Sequence, residues 1–259
     1  ILRCLVGSEM CIRDSGDGVD KLTGSAGADT INAGKGDDEI TVAAAGKADS
    51  DTMDGGDGTA DVLKLSTGKH TFGDDNKLKN IEKIETNSSG SEVILSAQKE
   101  ALEITGGDGV DKITGGEGVD TINAGKGDDE ITVAAAGKAD TDVMDGGDGT
   151  ADVLKLSTGK HTFGDDNKLK NIEKIETNSS GSEVILSAQK EALEITGGDG
   201  VDKITGGEGV DTIKGEKSAD IIVGGKGDDI ITGGDGDDII TGGEGCLLYT
   251  SPSPRDIGE

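Results

Sequence analysis

The side chains of this chain that could do chemistry are overwhelmingly carboxylates. Asp and Glu number 53 against 25 Lys and Arg, for a net charge of −28 over 259 residues. Two histidines, His70 and His161, occupy one repeated position and read as surface-loop residues. From these alone no Ser-His-Asp arrangement, HExxH zinc motif or phosphate-binding loop can be assembled, so no catalytic residue is predicted and the chain is not expected to be an enzyme. Nucleic acid is an unsuitable partner, because phosphate backbones require a surplus of Lys and Arg. A divalent cation is the natural one. No apolar run approaches the ~20 residues of a membrane span.

The two ends differ in character from the middle. The segment from Cys4 to Ser15 has too few apolar residues, interrupted by Glu9 and Arg13, to form a signal-peptide core. CLLYTSPSPRD near the C-terminus and VGSEMCIRD near the N-terminus can be back-translated so that the reverse complement of one contains the other, the pattern of a translated sequencing adaptor. Residues 1–15 and 246–259 are therefore read as adaptor-derived and set aside in fold reasoning. Three Arg and four acidic residues leave with them, which takes the charge from −28 to −27. What remains has no Cys, Trp, Tyr, Pro or Arg, and its only aromatics are Phe72 and Phe163. Such a composition cannot fill a wide globular core, and by itself would mean disorder.

Two nested periods supply what composition lacks. The long one is 91 residues: residues 30–122 recur at 121–213, with Ser50 and Thr52 becoming Thr141 and Val143. A recently expanded tandem array and a mis-joined assembly both fit this near-identity. The short period is nine. Leu95, Ile104, Ile113, Ile122 and Ile131 follow it, as do Leu186, Ile195, Ile204, Ile213, Ile222, Ile231 and Ile240. Neither a helix nor a long alternating strand gives that spacing. A unit of one large apolar residue, a three-residue extended piece and a Gly-rich turn does. Two units make one coil of a flattened solenoid, its apolar residues stacked inward as ladders.

Gly106-Gly107-Asp108-Gly109-Val110-Asp111-Lys112-Ile113-Thr114 and the units Gly115–Asn123, Gly197–Thr205, Gly206–Lys214, Gly224–Thr232 and Gly233–Thr241 read Gly-Gly-x-Gly-x-Asp-x-U-x, with U large and apolar. Ser15–Thr23, Gly24–Asn32, Ala33–Thr41, Ala124–Thr132 and Gly215–Val223 match in part. The chain thereby resembles the RTX, or hemolysin-type calcium-binding, repeat. The resemblance implies an all-β fold, a right-handed parallel β-roll or β-solenoid. Rolls are expected at 16–41, 95–132 and 186–245, with irregular β spacers at 42–94 and 133–185.

The resemblance also implies several Ca2+ ions. Its carboxylate ligands would be Asp20, Asp29, Asp38, Asp111, Asp120, Asp129, Asp202, Asp211, Asp220, Asp229 and Asp238. Its turn glycines would be Gly107, Gly109, Gly116, Gly118, Gly198, Gly200, Gly207, Gly209, Gly225, Gly227, Gly234 and Gly236. In the family an ion lies between one turn and the next on the same edge, 18 residues along. That pairs Asp20 with Asp38, Asp111 with Asp129, Asp202 with Asp220, Asp211 with Asp229, and Asp220 with Asp238. The spacing suits the chemistry. Glycine lets the backbone aim its carbonyls inward, and calcium wants ~6–8 oxygens, more than one turn can supply. Lys217 and Ser218 depart from the consensus and put sites at the turn 215–220 in doubt. Ser25, Ala33 and Ala124 replace glycines at milder positions. One buried Ile or Leu per nine residues does not offset the entropy of ordering them, so calcium is expected to be structural and a chelator to leave the chain largely disordered.

The rest of the 91-residue unit is plainer. Gly55-Gly56-Asp57-Gly58-Thr59-Ala60-Asp61, repeated from Gly146, looks like the same turn with one inserted residue, leaving Asp61 and Asp152 as either ligands or turn formers. Asp49, Asp51 and Asp54 suggest an EF-hand loop, but Met53 at its fifth position and Ala60 at its twelfth do not fit. Ile81, Ile84, Val93 and Leu95 are expected in the core. Three functions stay open: an adhesin-like structural segment of a cell-surface protein, the calcium module of a secreted enzyme such as a protease, lipase or epimerase, and an ice- or glycan-binding face. The array favours the first. The resemblance further implies type I secretion, with calcium-driven folding outside the cell, where the partners would be calcium and a surface.

Overall fold

A computed structural model describes residues 12–24, 27–42, 50–133, 141–245 and 248–250. Ser25, Asp49 and most of the two adaptor-like ends lie outside them. Among the described residues every regular element is a strand, and the strands pair in parallel. The chain divides into two compact units, residues 1–130 and 131–259.

In the first unit the longest ladder joins Lys21–Thr23, Glu39–Val42, Val62–Leu65, Lys83–Glu85, Glu103–Thr105 and Thr121–Asn123. Its register stacks Leu22, Ile40, Leu63, Ile84, Ile104 and Ile122 directly over one another. A second ladder stacks Ile31, Met53 and Leu78. A third opens at Gly68–Thr71 and stacks His70, Val93 and Ile113. In the second unit Leu154, Ile175, Ile195, Ile213 and Ile231 form one column, and His161, Val184, Ile204, Ile222 and Ile240 another.

Each short strand holds its middle residue inward and its neighbours outward, the two-residue alternation of extended chain. The pattern is exposed–buried–exposed at Lys21–Thr23 and Thr30–Asn32. Outward positions carry alternating charge: Lys64 bridges Glu39 (3.0 Å) and Glu85 (3.7 Å), and Lys69 meets Glu92 (2.7 Å).

The spacers are coils of these same ladders. From Leu22 to Ile122 successive core residues lie 18, 23, 21, 20 and 18 positions apart. The irregularity expected at 42–94 is therefore one of coil length. Extra residues go into loops tied by local side-chain bonds: Asp74 Oδ1 accepts from Asn76 N–H (3.0 Å) and Asn87 Oδ1 from Ser89 N–H (2.9 Å). Phe72, Ile81, Ile84, Val93 and Leu95 are all buried.

The histidines require a correction. His70 and His161 are fully buried, not on a surface loop. Gly68–Thr71 is a strand, and its alternation turns His70 inward over Val93. There its Nε2 lies 2.8 Å from the Ser66 carbonyl, an arrangement repeated at His161 and Ser157. The carbonyl can only accept, so Nε2 carries the proton.

Candidate metal centre

The sixth residue of each unit ends its turn just before a strand, which brings these residues into line along the coil edges. Backbone hydrogen bonds between coils then make a ladder of carboxylates. Asp20 N–H donates to Asp38 Oδ1 (2.7 Å), Asp111 N–H to Asp129 Oδ1 (2.7 Å), and Asp202 N–H to Asp220 Oδ1 (2.8 Å). Asp211 N–H reaches Asp229 Oδ1 and Asp220 N–H reaches Asp238 Oδ1, both at 3.0 Å. All five expected pairs are thus neighbours across a coil. Asp29 N–H donates to Asp51 (2.9 Å) and Leu102 N–H to Asp120 (3.1 Å), so Asp29 and Asp120 also join bonds between coils, although neither belongs to the five expected pairs.

The turns fall into two kinds. At Asp111, Asp120, Asp202 and Asp211 the second oxygen folds back onto its own turn. Oδ2 accepts from the N–H of Gly107 (3.0 Å), Gly116 (2.8 Å), Gly198 (3.0 Å) and Gly207 (2.8 Å) respectively. Here Gly107, Gly109, Gly116, Gly118, Gly198, Gly200, Gly207 and Gly209 do not use a positive φ. They are needed because another backbone passes too close for a side chain: a Cβ on Gly107 would strike the Asn87 carbonyl, and one on Gly118 the Glu100 carbonyl.

In the other kind the second and fourth residues take positive φ: Gly225 (114°) and Gly227 (113°), Gly234 (105°) and Gly236 (149°). There Asp220 Oδ2 and Asp229 Oδ2 are buried with no hydrogen-bond partner, as is Asp38 Oδ2 in the turn of Gly34 and Gly36. The irregular turn at 215–220 keeps this shape, with Glu216 (78°) and Ser218 (77°) held in the left-handed region that glycine normally occupies.

These carboxylates are electrostatically expensive. Burial pushes the carboxyls of Asp38, Asp111 and Asp211 above the usual range, with Asp20 and Asp37 adding to Asp38 and Asp229 to Asp211. Asp220 is pushed up to about 6, first by burial and then by the charges of Asp202 and Asp238. Buried oxygens without a donor, facing like charges, are what a hard cation satisfies, so the donors fit calcium. Among the described residues no three His, Cys, Asp or Glu side chains converge. An ion held here would need backbone carbonyls beside these carboxylates, and the chemistry it would supply is charge neutralisation between coils.

The ladder continues at Asp61, which the sequence left as either ligand or turn former, and then at Glu82, which the sequence pattern missed. Asp61 accepts the N–H of Asp38 (2.7 Å) through Oδ1 and is buried, its Oδ2 unpartnered. Its own N–H donates to Glu82 Oε2 (2.8 Å), and Asp152 and Glu173 repeat that bond (2.8 Å). Glu82 stands outside any Gly-Gly-x-Gly-x-Asp unit, so only the coil register could have found it.

Fold and edges together define a parallel β-solenoid of nine-residue units whose turns are lined with buried carboxylates. The RTX calcium-binding nonapeptide repeat matches it four times, at residues 14–44, 103–133, 196–230 and 215–245. The chain thus carries RTX calcium-binding repeats at these segments. No curated protein matches the chain.

Proposed function

We propose that this chain is a calcium-stiffened structural segment of a secreted or cell-surface protein, adhesin-like in its tandem architecture and without catalysis of its own. The carboxylate ladder carries this reading. Its unpartnered oxygens lie within the contact between coils, so an ion bound there holds one coil to the next, and the repeats are of a calcium-binding family. Several ions are implied, with ligands among the Asp residues of the repeat turns. The four coil steps from Ile40 to Ile122 advance about 19 Å at ~4.8 Å each. A tandem array of such units makes an extended spacer. The inward, hydrogen-bonded His70 and His161 fit a structural role.

Export before folding follows if the sites are weak. Extracellular calcium modules bind at ~10⁻⁴–10⁻³ M, far above cytosolic calcium. A calcium titration of the full chain, followed by far-ultraviolet circular dichroism, should show β structure appearing in that range. A submicromolar midpoint would let the chain fold before export and would overturn the secretion reading.

A further inference from the structure

We propose that each 91-residue unit holds one more calcium site, outside the nonapeptide repeats, built from Asp61, Glu82 and the Asn80 carbonyl and copied at Asp152, Glu173 and the Asn171 carbonyl. The proposal rests on the calcium reading above and extends it to segments that the repeat pattern does not cover.

A comparison with the turn at Asp220 carries it. There Asp220 N–H donates to the carboxylate of the next coil's Asp238 (3.0 Å). A Cβ on Gly215 would strike both Asp220 Oδ2 and the Gly233 carbonyl, so two oxygens from adjacent coils converge beside a bare glycine. The spacer reproduces each part. Asp61 N–H donates to Glu82 Oε2 (2.8 Å), and a Cβ on Gly55 would strike both Asp61 Oδ2 and the Asn80 carbonyl. Glu82 stands where Asp238 stands, and Asn80 where Gly233 does. Asn80 takes the left-handed conformation, with φ of 49°, and Asn171 the same at 50°.

Two further observations point to a cation. Asp61 is only 1% exposed, and its Oδ2 is aimed into this cradle without a hydrogen-bond donor. Asp38, Asp61 and Glu82 follow one another up the same edge, three carboxylates linked by backbone N–H bonds with no lysine bonded among them. A hard, oxygen-seeking ion is the ligand class that fits. In the second unit Asp152 N–H meets Glu173 Oε2 at 2.8 Å, and a Cβ on Gly146 would strike the Asn171 carbonyl and Asp152 Oδ2.

The test is calcium stoichiometry of the full chain by equilibrium dialysis with radioactive calcium. Asp61→Asn keeps an oxygen to accept the Asp38 N–H and removes the charge. Asp61→Asn and Asp152→Asn should each bind one ion fewer than the parent, and the double variant two fewer. Glu82→Gln, which preserves the acceptor for Asp61 N–H, should reproduce the single loss. Asp57→Asn, on the exposed rim of the same turn, should lose none. Unchanged stoichiometry in the folded Asp61→Asn and Glu82→Gln proteins overturns the proposal and leaves the repeat sites intact. A parent chain that binds no calcium overturns the family reading together with it.

Discussion

Asp220→Asn should have opposite effects on stability with and without calcium. Asp220 stands in the middle of a three-carboxylate run, accepting from Asp202 N–H (2.8 Å) and donating to Asp238 (3.0 Å). Asparagine keeps an oxygen for the first bond. In the calcium-free fold the wild-type carboxyl titrates at about 6 against 3.8 for the free side chain. Two pKa units correspond to at most about 3 kcal/mol spent on holding it ionised at neutral pH. The effective dielectric near a protein edge reduces this to roughly 1–2 kcal/mol. Because the folded carboxyl titrates higher than the unfolded one, stabilisation by protonation is complete below 3.8 and lost as the pH rises through about 6. Calcium-free wild type should therefore gain stability on acidification across that window, and the variant should lack this increment. With calcium the order reverses, because the variant offers a neutral oxygen to each of two inter-coil contacts. Folding equilibria in chelator, brought into range with trimethylamine N-oxide, and in saturating calcium separate the two signs. Equal destabilisation in both conditions would show that Asp220 only shapes the turn.

Chelation of the wild-type chain at neutral pH should abolish most of its β signal in circular dichroism, and a spectrum indifferent to calcium would refute the structural role of the ion. Glu216→Gly relieves a left-handed residue (φ 78°) and should stabilise the calcium-loaded protein by about 1 kcal/mol, read as a higher melting temperature. Ile213→Ala removes a fully buried side chain stacked between Ile195 and Ile231, and should cost roughly 2–5 kcal/mol in a urea titration with calcium present.

The nine-residue register made the inward columns legible, because each repeat spends one large apolar residue on the core. Ile104, Ile113, Ile122, Ile195, Ile204 and Ile213 are all buried. The pairing of Asp211 with Asp229 was implied by the family resemblance, and the structure joins the two by an N–H bond between coils (3.0 Å). What stayed hidden depended on coils of other lengths. Glu82 joins the ladder because the coil from Leu63 to Ile84 spans 21 residues, and no local motif marks it. His70 was misplaced because a four-residue strand, Gly68–Thr71, opens a new ladder within what reads as a polar loop. Consensus glycines hid a distinction too. Gly107 and Gly225 look identical in sequence, yet one serves close approach and the other a positive φ (114°). The difference lies in what each turn stacks on: the Asn87 backbone of a spacer coil under Gly107, another repeat turn under Gly225.

The outer rim of the turns handles charge differently from the inner ladder. At the third turn position acids alternate with lysines from coil to coil: Lys35 meets Asp17 (3.3 Å), Lys126 meets Asp108 (3.0 Å), Lys217 meets Asp199 (3.0 Å) and Lys226 meets Glu208 (2.6 Å). Lys217 also feels Asp235 beyond it, and Lys226 feels Glu244. These pairs are exposed and each contributes only ~0–1 kcal/mol. Their value is in discrimination. Neighbouring coils of nearly identical sequence could pair one coil out of register, since the core would still set Ile against Ile. Such a slip would place acid against acid on the rim, and like charges oppose it. The rim carries its own counter-ions and so needs no metal. On the inner ladder the second oxygens of Asp38, Asp61 and Asp220 have no such partner, and on the proposed reading calcium supplies it. Coil order is thus written in the sequence itself, while on the proposed reading the strength of the stack follows the surrounding calcium.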